Sequence, residues 1–187
     1  MAVRNRRMPG CTALMVVITM ALTVARPMPT AAKTTVEKSG TAITAALPIL
    51  AGALSLSIGD TEGFLRLGLS STTSLGIALG LKQIIHSERP NGRNNKSFPS
   101  GHAVVAFSSA SYLDHRYGWK FGLPSYLLAT YVAWTRVNSK QHHIRDVAAG
   151  ALMSWGISHV FVVPYRGVAL GGVYTGDKAL LRLHIRW

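Results

Sequence analysis

The chain has 187 residues, a length that favours one domain, and carries 20 Lys and Arg against 7 acidic residues, a formal net charge of +13. Hydrophobic residues make up 48% and charged residues 14%, which excludes a highly charged disordered tail; a single cysteine, Cys11, excludes a disulfide scaffold and a multi-cysteine zinc site. The basic excess fits nucleic acid, anionic lipid or a phosphorylated ligand, and a mean hydropathy of +0.24 leaves membrane attachment open.

In chain order, Arg4, Arg6 and Arg7 precede an uncharged run, Thr12 to Ala25, followed by Pro27, Pro29 and the small residues Thr30, Ala31 and Ala32. A basic start, a short apolar core and small residues at its end describe a secretory signal peptide cleaved near Ala32, or a first membrane anchor. Five apolar segments follow: Thr41–Ile58, Leu67–Leu81, Ala103–Leu113, Phe121–Thr135 and Val147–Val163. None alternates strictly, and all are rich in Ala, Leu, Gly and Ser, so they read as helices with small residues for close contact. Only the first has the length usually asked of a spanning helix. The stretch from Arg166 changes character. Leu181, Leu183 and Ile185 alternate with Arg182, His184 and Arg186, and Thr175-Gly176-Asp177-Lys178 separates this run from Val168–Tyr174. That pattern predicts a short β-hairpin.

If the segments cross a membrane alternately with Arg4–Arg7 inside, the Asp60 turn, the Asp114–Lys120 turn and the tail lie inside. The loops Lys82–Pro99 and Arg136–Asp146 then lie outside. Both outer loops are basic, against the positive-inside rule, so their charge asks for another purpose.

Those loops hold the chemistry. Lys82 and Arg89 are seven residues apart, near two helical turns, and Arg136 closes another helix. Three cations at helix ends can converge on one dianion, with guanidinium forks suited to phosphate oxygens. Pro99-Ser100-Gly101-His102 reads as a helix start, with Ser100 as N-cap, Gly101 allowing close backbone approach and His102 on the first turn. His142 and Asp146 are four apart and share a face if a helix begins near His142; His143, three from Asp146, is an alternative that spacing leaves open. A metal site built from His86, His102, His142, His143 and Asp146 is disfavoured, because no HExxH occurs and cations crowd the loops.

Lys82-x6-Arg89-Pro90, then Pro99-Ser100-Gly101-His102, then Arg136-x5-His142-x3-Asp146 resembles the three-part signature of the type 2 phosphatidic acid phosphatase (PAP2) superfamily. Thr135 stands where that family usually has serine and keeps the hydroxyl. The resemblance spans residues 82–146 and its register selects His142 over His143. It implies that His142 attacks phosphorus, that Asp146 orients it, and that His102 protonates the leaving oxygen. It further implies that Lys82, Arg89, Ser100, Gly101 and Arg136 hold the phosphoryl oxygens, with no metal or other cofactor.

The sequence therefore predicts an all-α bundle of five to six helices, transmembrane, with a short C-terminal β-hairpin. Residues 1–32 form a signal peptide or first anchor, 33–165 a helical catalytic domain and 166–187 a basic tail. The implied activity is metal-independent hydrolysis of a lipid phosphate monoester or diphosphate through a phosphohistidine, at the periplasmic face of a bacterial inner membrane. A soluble periplasmic acid phosphatase is the alternative; a vanadate-dependent haloperoxidase and a non-enzymatic binder of anionic lipid are weaker ones. Nucleic acid is not an expected partner, because aromatic residues do not interleave with a basic stripe.

Overall fold

The computed structural model describes the backbone of residues 30–165, 168–175 and 178–185, and the side chains of residues 34–165. Five helices appear among them: α1 (Thr30–Ser57), α2 (Thr61–Ile84), α3 (Gly101–Tyr117), α4 (Trp119–Asn138) and α5 (Ile144–Phe161). They correspond one to one with the five apolar segments. The expected signal peptide or anchor over residues 1–32 falls almost wholly outside the described residues, and its boundary at residue 32 lies within the first turn of α1.

After α5, β1 (Val168–Thr175) pairs antiparallel with β2 (Lys178–Ile185), in a register running from Val168 opposite Ile185 to Thr175 opposite Lys178. This is the hairpin read from the alternating tail.

Helix α3 sits at the centre and packs against all four other helices. It can do so because its inward positions are small: Ala103, Ala106, Ala110, Ser108, Ser109 and Ser111 are fully buried. Small side chains let helix backbones approach closely. Phe107 and Tyr126 fill the space between α3 and α4, their ring centroids 6.3 Å apart. Buried hydroxyls bond locally, Ser74 to the Ser70 carbonyl at 2.7 Å, or bridge helices, Ser154 of α5 to the Val104 carbonyl at 2.9 Å. Many large apolar side chains point outward instead, among them Ile49, Leu50, Leu65, Leu79, Leu152 and Val160. Helices α1, over Thr34–Ser57, and α2 are each long and apolar enough to cross a membrane. By its apolar run alone only the first segment reached that length, because the run in α2 leaves out the polar turn that opens the helix.

Tight turns set the order of the bundle. Gly118, at φ +91°, ends α3 and opens α4 in one residue, a conformation that a Cβ would strain. Asp60 caps α2, accepting from the Gly63 N–H at 2.9 Å. The same carboxylate is 4% exposed and receives Arg116 of α3 in a two-point bridge of 2.6 and 2.8 Å, plus the Tyr117 hydroxyl at 2.8 Å. Arg116 also donates to the Val163 carbonyl at 2.9 Å, which ties the end of α5 to the α1–α2 turn. Removing one partner of a buried ion pair strands the other and typically costs about 3–5 kcal/mol. Asp60→Ala is therefore expected to lower the melting temperature strongly without touching the opposite end of the bundle. A thermal melt within a degree of the wild-type value would show that this clamp does not hold the fold.

Candidate active site

The opposite end collects the C-terminus of α2, the N-terminus of α3, the C-terminus of α4, the N-terminus of α5 and the first half of α1. Helix α2 stops at Ile84, so Arg89 does not lie on it two turns beyond Lys82 as the spacing suggested. The loop from 85 to 100 instead folds on itself, with the Ser87 N–H donating to Asn95, Ser97 to Ser87 and Arg89 to Asn94, each near 3 Å. Those pairings take the backbone groups that another helical turn would have used.

Helix α4 ends differently. Lys140, at φ +55°, turns the chain back, and the Gln141 and His142 N–H groups both donate to the Arg136 carbonyl at 3.0 and 3.3 Å. His142 is thereby tucked beneath α4 and is 4% exposed. It does not begin a helix with Asp146. The N-cap of α5 is His143, whose N–H donates to Asp146 Oδ2 at 2.8 Å, so Asp146 satisfies an orphan helix-end donor.

The His142 imidazole is held by the other loop. Its Nδ1 lies 2.7 Å from the Ser97 carbonyl oxygen and 3.8 Å from Asp146 Oδ2. A carbonyl can only accept, so Nδ1 carries the proton and Nε2 keeps a free lone pair. The shared helical face expected from the four-residue spacing does not form, and this contact, not a direct bond to Asp146, holds the ring. Asp146 acts one step away, accepting from the Ser97 hydroxyl at 2.5 Å while its own carbonyl accepts the Ser100 N–H at 3.0 Å. Burial, then the nearby charges of Arg89 and Lys82, push the His142 pKa down to about 4, against a weaker opposing pull from the Ser97 carbonyl and Asp146. The imidazole is thus neutral at pH 7 and gains its proton only as pH falls through about 4. A histidine titration by NMR on the ligand-free protein should place the His142 midpoint near 4; a midpoint near 6.5 would contradict the packing described for this ring.

Three cations gather at the same end of the bundle, two of them, Arg89 and Lys82, near enough to act on His142. Lys82 Nζ donates to the Lys96 carbonyl at 3.0 Å. Arg89 reaches Asn94 Oδ1 at 3.0 Å and Gln141 Oε1 at 2.7 Å. Arg136 is 3% exposed and donates to the Glu37 carbonyl at 2.6 Å and Thr41 Oγ1 at 3.2 Å. Among the described residues, none of the three is within ion-pair distance of a carboxylate. His102, the second residue of α3, lies close enough to Arg136, Arg89 and Lys82 to feel all three charges. Ser100 caps α3 by position only: its hydroxyl is buried with no hydrogen-bond partner. His143 stands at the rim with its side chain 40% exposed. A cavity of about 560 Å³ opens beside Arg89, with Ile85, Phe98, His86, His143 and Arg145 among its lining. His86 is exposed in the loop. Among the described residues no three His, Cys, Asp or Glu side chains gather as a metal ligand set.

The structure thus brings Lys82, Arg89, Ser100, His102, Arg136, His142 and Asp146 to one end of the bundle, with Gly101 opening α3 there. Sequence reasoning missed Ser97, Gln141 and Glu37. Ser97 lies two residues before Pro99, and Gln141 directly precedes His142, so closeness to the motifs was their only signal. Glu37 had none.

Two curated proteins are similar to this chain. A lipid A 4'-phosphatase of Helicobacter pylori is 34% identical over 131 residues, 64% of this chain and 66% of that protein. A lipid A 1-phosphatase of Porphyromonas gingivalis is 32% identical over 66 residues, 34% of this chain and 15% of that protein. The aligned stretches therefore cover just under two thirds of the first relative and a small part of the second. No solved structure matches the chain. The PAP2 superfamily model matches residues 10–167, beginning well before the motifs and ending past α5. With most of its length matched, the chain belongs to the PAP2 superfamily.

Proposed function

We propose that this protein is a metal-independent phosphatase that hydrolyses a lipid phosphate monoester or diphosphate through a phosphohistidine at His142. The observation that carries the reading is His142 Nδ1 held 2.7 Å from the Ser97 carbonyl, at the same end of the bundle as three cations that make no ion pair with a described carboxylate.

The chemistry follows from that arrangement. A phosphoryl group enters among Lys82, Arg89 and Arg136, with the unpartnered Ser100 hydroxyl and the Gly101 amide at the α3 N-terminus as further donors. His142 Nε2 attacks phosphorus, and the P–O bond to the leaving group breaks. His102, which burial and the three cations keep unprotonated before substrate enters, takes up a proton from solvent as the phosphoryl dianion offsets those charges, and gives it to that oxygen. Water, deprotonated by His102, then attacks the phosphohistidine, breaks the N–P bond and releases phosphate. Splitting the reaction lets one histidine serve as nucleophile and the other as acid and then base. Charge building on the phosphoryl oxygens meets donors already in place. The Ser97 carbonyl and, behind it, Asp146 stabilise the cationic His142 formed on attack.

The lipid class rests on the relatives, both phosphatases of lipid A by name, and on the bundle. Its interior is small and hydroxylated while large apolar side chains face outward, as lipid-facing helices require. Residues 33–165 are the catalytic unit in this reading, 1–32 a signal peptide or first anchor, and 166–187 a basic tail. The site faces the periplasm from the inner membrane of a bacterium, which explains basic loops on the outer side.

Purified protein is expected to release phosphate from a panel of lipid phosphates, to keep that activity in EDTA and to lose it in orthovanadate. The charge a metal would supply is carried by Lys82, Arg89 and Arg136. Activity lost in EDTA and restored by Mg²⁺ or Zn²⁺ would refute the metal-independent reaction.

A further inference from the structure

The first half of α1 reaches into the site by contacts that the proposed reaction does not use. Its backbone is pressed against the end of α4: a Cβ at Gly40 would collide with Thr135 Oγ1 and crowd Arg136 Nη2 at 2.9 Å. One turn earlier, Glu37 receives two of the site's arginines by different routes. Its carbonyl accepts Arg136 directly at 2.6 Å. Its carboxylate Oε1 accepts Gln141 Nε2 at 3.0 Å, and Gln141 Oε1 in turn accepts Arg89 Nη1 at 2.7 Å.

The sense of this chain is fixed by chemistry. A carboxylate only accepts and a guanidinium only donates. The Gln141 amide therefore has one orientation, nitrogen towards Glu37 and oxygen towards Arg89; a flip would set donor against donor and acceptor against acceptor. Gln141 is 8% exposed, so water cannot readily replace either bond.

We propose that Glu37 is a positioning residue that aims Arg89 at the phosphoryl group through the neutral Gln141 amide. This inference rests on the phosphatase reading and deepens it. The amide has a second effect. A carboxylate placed directly on Arg89 would cancel the charge that phosphate needs, whereas one held a residue away orients the guanidinium and leaves its charge free. Asn94, the other partner of Arg89, is also neutral, in keeping with that arrangement.

The test uses full-length protein in detergent, with orthovanadate affinity, KM, kcat and melting temperature measured on each variant. Glu37→Ala frees Gln141 and is expected to weaken vanadate binding and raise KM by about tenfold, with kcat changed less than about threefold, the scale of one oriented charged hydrogen bond. Glu37→Gln keeps an acceptor for the Gln141 amide and should restore most of that loss. The decisive variant is E37Q/Q141E, which keeps both hydrogen bonds and moves the carboxylate one residue closer to Arg89. It should melt no lower than the wild type yet bind vanadate about a hundredfold more weakly, because a buried charge pair now competes with the ligand. A merely structural contact predicts wild-type affinity for this double variant, and that result would overturn the proposal. So would wild-type affinity in Glu37→Ala. If Glu37→Ala does not fold, the double variant carries the test alone. Wild-type protein that neither binds vanadate nor releases phosphate would remove the phosphatase reading itself, and this proposal with it.

Discussion

His142→Ala is expected to abolish turnover of every phosphate ester, with a loss of at least about 10⁴-fold, the scale seen when a catalytic nucleophile is removed. The geometry leaves no substitute. His142 is the imidazole whose Nδ1–H is committed to a carbonyl, and whose Nε2 is therefore free to attack. His143, the sequence neighbour, is half exposed and serves as N-cap of α5 through its backbone. His143→Ala should lose less than about tenfold, because the Asp146 carboxylate still accepts the same N–H. Phosphate release by the two variants, assayed side by side with melting temperatures, separates them. Activity retained in His142→Ala and lost in His143→Ala would place the nucleophile on the wrong neighbour.

His102→Ala is the second large effect, and its size should depend on the substrate. A lipid or sugar alkoxide leaves poorly without a proton, whereas nitrophenolate leaves readily. General acid catalysis contributes about 10²–10⁴-fold, so first-turnover rates on lipid phosphate should fall by roughly that much. On nitrophenyl phosphate the fall should be clearly smaller in the first, phosphorylating step. The slow second step is avoided by rapid quench, since steady-state rates report the loss of His102 as the base for water. Equal first-step losses on both substrates would mean that His102 only positions phosphate beside Arg136, Arg89 and Lys82.

The five helices were legible because each is an apolar run between polar loops, and the three motifs named most of the side chains that the structure gathers at one end of the bundle. Boundaries were harder wherever a helix continues through polar residues that face the site. Helix α1 starts at Thr30, ahead of the apolar run, and Glu37 on this polar part meets Arg136, as does Thr41 where the run begins. Helix α2 starts at Thr61 because Asp60 caps it and is itself buried against Arg116, a partner 56 residues away. The i, i+4 spacing of His142 and Asp146 suggested a shared helical face. The two are instead joined across an N-cap, with Ser97 between them, because Asp146 is needed by the backbone of His143. Ser97 meets His142 across 45 residues and Glu37 meets Gln141 across 104. Periodicity carries no information about contacts so distant, and only the folded bundle displays them.

A covalent phosphoryl group on His142 is the central claim, and chemical quench tests it directly. Protein is mixed with lipid phosphate bearing a radiolabelled phosphoryl group, stopped in alkali within the first turnover and digested. An acid-labile, alkali-stable label is expected on the peptide containing His142, enriched in His102→Ala when labelled nitrophenyl phosphate, whose leaving group needs no proton, replaces the lipid, and missing in His142→Ala. Product formed in the first turnover with no protein-bound label at any quench time, in either the wild type or His102→Ala, would contradict it, as would label recovered on another residue.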